Sequence, residues 1–446
     1  MKKRDIRKKR RKKTPFLTAV VANEAGEVVE LEGFAAVGMA GNTLVPLTSD
    51  ETLEMPFGSE LMLMPDRKPV LYHINSRKFE TLAENPIAPG ESIYPVAVFN
   101  SPGHLISYVS AYMEEDGAGY LPLFSYGVVG WKDGNFKTAV IHVDKEKRQD
   151  LRLMRTEDVT AGIKRMRKKM PANRLREHLE TCALAYGCPA SKNFFIGRYE
   201  APLPTAPHCN ARCLGCLSLQ GDGQIPHSQD RITFKPSPEE IAEVALEHIR
   251  KVKQSIVSFG QGCEGDPLLA ADVIEGAISI IRSNTQAGTI NMNTNGSMPE
   301  ILGRLFDKGL DSIRISLNSV RKACYDAYFR PRGYSFFDVK KSISTALGRG
   351  KFVSINYLNL PGFTDTPEEV DTLVEFLGQH PINMIQWRNL NIDPIRYWKV
   401  MSDIVEHGTP IGMRNLYNKI RASFPNLKHG YFNPPKEKFL HKKRRE

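Results

Sequence analysis

Cys209, Cys213 and Cys216 crowd into the stretch "PHCNARCLGC" of a 446-residue chain that has seven cysteines in all. Thiolates this close in sequence can wrap one soft metal centre. A structural zinc site would close with a fourth Cys or a His. His208 is adjacent, but consecutive residues rarely serve one ion comfortably. A cubane [4Fe–4S] cluster held by three thiolates instead leaves one iron open to a further ligand. Gly215 allows a sharp local backbone between the second and third thiols. The spacing therefore admits two chemistries: a zinc knuckle short of a ligand, or a cluster with one iron free to react.

Other polar groups recur at intervals downstream. From about residue 195, short apolar runs ("SIVSFGQ", "TINMNTN", "SIRISLN", "FVSINYLNL", "MIQWRNL") alternate with amphipathic helical stretches, several opening with Pro-Glu. Proline fits the first helical turn and an acid there faces the positive end of the dipole. Such alternation implies a parallel sheet with crossover helices. Six units give an α/β fold, a partial (βα)6 TIM-like barrel. Chemistry in such barrels sits at the C-terminal strand ends, and the unusual residues fall there. The three cysteines follow the first strand, "GQGCEGDP" (260–267) the second and "NMNTNG" (291–296) the third. Ser316 and Asn318 end the fourth strand and "NLPGFTD" the fifth. Gln386 and Arg388, two apart and so on one face, end the sixth as candidate substrate contacts.

These motifs, in this order over about 195–400, resemble the radical S-adenosylmethionine superfamily. The resemblance implies that Cys209, Cys213 and Cys216 bind a [4Fe–4S] cluster and that S-adenosylmethionine chelates its open iron. One electron then cleaves the cofactor to methionine and a 5′-deoxyadenosyl radical, which abstracts hydrogen from a substrate: RNA, a peptide or a small molecule. By the same resemblance Glu264 accepts from the methionyl ammonium and Gly262 admits the backbone. Ser316 and Asn318 would meet the ribose or carboxylate, Asn293 and Asn295 belong to the third-strand segment, and Gly362 lies along the adenine. An electron donor of flavodoxin or ferredoxin type is implied too. The position before the third cysteine, commonly aromatic in that family, is Gly215 here.

Residues 15–147 read as a β-rich accessory domain, with Asp133-Gly134 turning a hairpin and "HLISYVSAYMEE" carrying its helical signal. Residues 148–194 read as a helical connector in which Thr156 caps the first helix, 195–403 as the barrel, and 404–446 as a C-terminal helix and basic tail. The net charge of +11 is concentrated at the ends. Residues 1–13 hold ten Lys/Arg against one Asp, and residues 436–446 hold six Lys/Arg against two Glu, so the remaining body is slightly acidic. Residues 1–14 and the C-terminal stretch read as disordered, solvated tails that could meet nucleic acid, not as a basic groove. Four thiols remain. Cys182, Cys188, Cys263 and Cys324 read as packing thiols, because a second cluster would need all four to converge. The uneven, odd cysteine set and the lack of an apolar span or secretory signal fit a reducing cytoplasm without membrane contact. The competing reading is a non-catalytic zinc- or cluster-binding adaptor whose basic tails dock nucleic acid.

Overall fold

Apolar runs too short for helices, each followed by a capped amphipathic segment, fold as strand–helix repeats. The computed structural model describes residues 15–147, 150–220 and 225–439. The expected N-terminal tail, residues 1–14, lies outside them, as do the last seven residues. Six parallel strands, Glu200–Pro202, Ile256–Phe259, Thr289–Thr294, Ser312–Leu317, Phe352–Asn359 and Met384–Asn389, lie in sequence order in one sheet. Helices Pro238–Lys251, Ala271–Asn284, Pro299–Lys308 and Pro367–Gln379 cross between them, with Phe336–Gly348 linking the fourth and fifth strands. Three of these helices carry Pro at the first positions with Glu239, Glu300 or Glu368 in the first turn. Ser237 and Glu240 add a reciprocal capping box to the first. The curled sheet is the expected partial barrel.

One strand was not foreseen. Lys428–Gly430 runs parallel to Met384–Asn389 as a seventh. It is three residues long and carries no apolar run, so periodicity does not reveal it. The chain beyond it is not loose. The backbone N–H groups of Tyr431 and Phe432 donate to the Asp144 carboxylate at 2.9 and 3.1 Å. Lys436–Lys438 forms a short 3-10 turn, and Phe439 stacks on Phe352 at 4.3 Å. The disordered tail expected from 436 is therefore corrected for residues 436–439, which pack on the barrel.

Ahead of the barrel lies an antiparallel ten-stranded sheet with smaller two- and three-stranded sheets beside it. The Val129–Lys132 and Asn135–Thr138 hairpin turns at Asp133 (φ 51°) and Gly134 (φ 84°), the positive pair that a type I′ turn needs. "HLISYVSAYMEE" is not helical. It forms strands His104–Ile106, Val109–Ser110 and Tyr112–Glu114, because its β-branched and aromatic residues pair across strands and with the barrel. Three helices follow: Thr156–Lys169, Arg174–Leu184 and Pro189–Ile196. Arg155, not Thr156, occupies the cap position, and Thr156 is the first helical residue.

Two side chains weld the β-rich part to the barrel. Asn389, last in the sixth strand, accepts from the Ile106 N–H at 3.0 Å and donates to the His104 carbonyl at 2.9 Å, imitating a strand neighbour. Buried Asp393 caps helix Pro394–Ser402 and also accepts from the Arg67 guanidinium at 3.1 Å, the Leu121 N–H and the Tyr112 hydroxyl. Arg67 is itself 2% exposed. Removing Asp393 leaves the buried Arg67 only the more exposed Glu114 at 3.3 Å as a counter-charge. Asp393→Ala is expected to lower unfolding free energy by about 3–5 kcal/mol in chemical denaturation, whereas an unchanged midpoint would show that water replaces the carboxylate.

Candidate active site at the barrel mouth

The loop after the first strand carries the three thiols, and backbone bonds fix its path. The Arg212 and Leu214 N–H groups donate to the carbonyls of Phe329 and Tyr328 at 2.9 and 3.0 Å, and the Arg332 N–H to that of Asn210 at 2.8 Å. A Cβ at Gly215 would lie 2.9 Å from both the Tyr328 hydroxyl and the Asn391 carbonyl. Glycine is thus required by packing. Tyr328, buried behind the loop, presents its hydroxyl to position 215.

Cys209, Cys213 and Cys216 are half-buried and line one cavity of about 510 Å³. Burial pushes the Cys209 thiol up to about 11, with the Asp266 carboxylate adding to the effect, and pushes Cys213 well above its ordinary value. Cys209 and Cys213 therefore favour the thiolate only beside a positive centre. Arg231 donates to the Cys216 sulfur at 3.4 Å, a contact that offsets anionic sulfur. Among the described residues, the one group of three donor atoms gathered within 4.8 Å of one another is elsewhere in the chain. The motif sulfurs do not form so tight a set, which suits ligands on separate irons of a cubane better than ligands on one zinc ion.

The second-strand loop braces the first. Glu264 is 4% exposed, and each carboxylate oxygen takes two backbone N–H groups: Thr205 and Ala206 on one, Gly260 and Gln261 on the other, all at 2.7–3.0 Å. Burial pushes its pKa up to about 7 while those four donors pull the other way. This carboxylate ties two strand ends together, so its acceptor capacity is already spent on the backbone. Close packing of the loop against neighbouring backbone occurs at Gly260 and Gly265. A Cβ at Gly260 would stand 1.7 Å from the Asn293 carbonyl oxygen, and one at Gly265 1.8 Å from that of His208. Gly262 lines the cavity beside Gln229.

Asn293 and Asn295 also line the cavity. Asn293 donates to the Gly260 carbonyl at 3.0 Å, and Asn295 to the Asn210 side chain at 2.7 Å, so the third strand holds both preceding loops. Half-buried Ser316 and Arg388 complete the wall. Three expected residues lie apart from it. Asn318 is turned into the core, donating to the Cys324 carbonyl and the Tyr397 hydroxyl. Gly362 (φ 95°) abuts the backbone of Ala40 and Gly41 in the β-rich part. Gln386 is buried beneath the cavity floor, accepting from Arg314 at 3.0 Å and donating to Asn433 at 2.8 Å.

Arg314 was missed. It lies two residues before Ser316 and so shares its face; the signal was a cation inside the apolar run "SIRISL". Burial, then the nearby Arg388 charge, push its pKa down to about 9. Arg388 lies over the Tyr431 ring at 3.7 Å. Among the described residues neither arginine forms an ion pair, and each leaves a buried Nε without a partner.

Residues 203–377 match the model of the Radical SAM superfamily, so the chain carries a Radical SAM domain. Its cofactors are a [4Fe–4S] cluster and S-adenosylmethionine. The molybdenum cofactor biosynthesis protein 1 of Mus musculus is 26% identical over 221 residues, 49% of this chain and 31% of that protein. The mitochondrial GTP 3′,8-cyclase of Arabidopsis thaliana is 29% identical over 178 residues, 40% of this chain and 42% of that one. The chain thus spans less than half the length of either. The crystal structure of methylornithine synthase overlays with a TM-score of 0.36 at 14% identity, covering 56% of this chain and 70% of that one. Among the described residues no helix is long and apolar enough to cross a membrane.

Glu264→Gln turns an amide NH₂ toward backbone N–H donors and strands two of them. The expected loss is about 1–3 kcal/mol in denaturant unfolding. Wild-type stability in this variant would show that the carboxylate is not the brace.

Proposed function

We propose that the chain is a radical S-adenosylmethionine enzyme whose substrate carries an anionic group, a phosphate or carboxylate, seated on Arg314 and Arg388. The carrying observation is the pair of arginines in the cavity that the three thiols line, neither closed by an ion pair among the described residues although Glu200 stands near Arg314. Two half-buried cations held close together are costly unless an anion joins them, and a guanidinium fork suits carboxylate or phosphate. Cys209, Cys213 and Cys216 would hold the cluster, with Arg231 beside Cys216. The chemistry supplied when cluster and cofactor are bound is one-electron cleavage of S-adenosylmethionine, which generates a radical able to take hydrogen from substrate. The chain's own residues orient that event. Glu264, Asn293 and Asn295 set the relative positions of the first three strand ends, and Ser316 offers a hydroxyl to the cofactor or substrate.

The name of one relative, GTP 3′,8-cyclase, points to nucleotide chemistry, so GTP is one anion to test beside carboxylate metabolites. A flavodoxin or ferredoxin would supply the electron, and a reducing cytoplasm would keep the free cysteines available. The adaptor reading explains the thiols and not the paired arginines.

Anaerobically reconstituted protein is expected to release 5′-deoxyadenosine from S-adenosylmethionine with a reductant, and to lose this on replacement of all three motif cysteines by alanine. Retained cleavage there would contradict the cluster assignment. Arg314→Met and Arg388→Met should each weaken binding of the anionic substrate by at least about 2 kcal/mol, roughly thirtyfold, measured as KM once the substrate is found by deuterium transfer into 5′-deoxyadenosine. An unchanged KM in both would remove the anion site.

A further inference from the structure

Four thiols lie outside the cysteine motif, and two of them meet a histidine. His178 and Cys182 stand one turn apart on helix Arg174–Leu184, the separation that puts side chains on one helix face. Cys263 reaches the same point from the loop after the second barrel strand. Their ligand atoms all lie within 4.8 Å of one another, with the His178 Nε2 and the Cys182 sulfur 3.5 Å apart. In a tetrahedral zinc site with Zn–S near 2.3 Å and Zn–N near 2.0–2.1 Å, a sulfur and a nitrogen stand about 3.6 Å apart. The separation already present is that of two ligands on one ion. It is too tight for a cubane, whose protein ligands sit on separate irons.

The surroundings support a bound cation. Cys182 and Cys263 are 1% and 5% exposed, and His178 is half-buried. The Ser191 hydroxyl is fully buried without a conventional hydrogen-bond partner, and it faces the Cys182 sulfur, where it can donate to a thiolate. Cys324 is not part of this group: it lies beyond the fourth strand, near Ser319 and Glu369. The set of four cysteines considered from sequence therefore does not converge.

We propose that His178, Cys182 and Cys263 form a zinc site, distinct from the cysteine motif, that staples the connector helix to the loop bearing Glu264. Two thiolates and one neutral imidazole form a borderline-soft donor set that suits Zn²⁺. The fourth position is left to an exogenous donor or to Cys188, whose N–H donates to the Cys182 carbonyl at 3.0 Å.

Elemental analysis of the full chain with its iron–sulfur cluster reconstituted tests this, because iron and zinc are counted separately. After exposure to zinc and removal of the excess, one zinc per chain is expected beside the cluster iron. Cys182→Ser and Cys263→Ser should each lose the zinc and keep the iron, and Ser191→Ala should weaken zinc binding about tenfold. Absent zinc in the unaltered chain, or zinc retained in both serine variants, would overturn the site. Should the serine variants lose both metals through misfolding, cobalt(II) in the unaltered, cluster-loaded chain decides. Intense visible bands of a tetrahedral thiolate site support the proposal, and the weak bands of an octahedral ion refute it.

Discussion

Among the described residues no cationic side chain pairs with buried Glu264, and its two oxygens satisfy four backbone N–H groups from two neighbouring strand ends. An unpaired donor in such a place costs about 1–3 kcal/mol, so the loops at 203–206 and 260–264 have little choice of relative position. Everything at the rim is built from that constraint. The cysteine loop starts where the first of these segments ends, and Gly265 lets the second pass against the His208 carbonyl. Asn293 and Asn295 carry the bracing to the third strand. A polar residue that reads as a ligand for a cofactor thus acts on its own backbone, holding the loops from which cofactor contacts must come.

An open barrel leaves one side of its mouth uncovered, and this chain covers it from both ends. Phe99, Asn100 and Ser125 of the β-rich part and Cys188 and Pro189 of the connector stand on the cavity wall. The C-terminal stretch brings Tyr431 and Phe432 to the same wall and pushes Asn433 beneath it, where it donates to Glu200 and accepts from Gln386. Protein stands on several sides of that space, so charges there interact more strongly than on an open surface. That gives two facing arginines their weight in the functional reading. Asp393 and Asn389 keep the cover in place, because they satisfy backbone and side-chain groups of the β-rich part from within the barrel chain.

What the sequence makes legible follows from how local each signal is. The cysteine spacing, the strand–helix alternation, the Pro-Glu helix starts and the Asp133-Gly134 turn all depend on neighbours a few residues away, and each appears in the fold. The seventh strand does not announce itself, since three residues paired to Met384–Asn389 need no apolar run of their own. "HLISYVSAYMEE" misleads because pairing partners, some from the barrel, decide its conformation. Asn318 and Gly362 sit at strand ends as expected, yet one turns inward to Tyr397 and the other abuts a segment more than 300 positions away in sequence. Arg314 was legible in principle, as a lone cation on the inward face of an apolar strand. The approach of His178 to Cys263 was not, since it depends on how a connector helix docks on a barrel loop.

The central claim is that three thiols at the barrel mouth hold a cluster whose fourth iron faces the arginine-lined cavity. Its most direct test is pulsed electron–nuclear resonance on the reduced, reconstituted full chain, with S-adenosylmethionine labelled at the amino nitrogen and carboxylate oxygen. The account predicts hyperfine couplings from both labelled atoms to one iron of a [4Fe–4S] cluster, lost when Cys209, Cys213 and Cys216 are replaced. A cluster spectrum unchanged by the labelled cofactor, or protein that holds zinc and no iron at the motif, would contradict it.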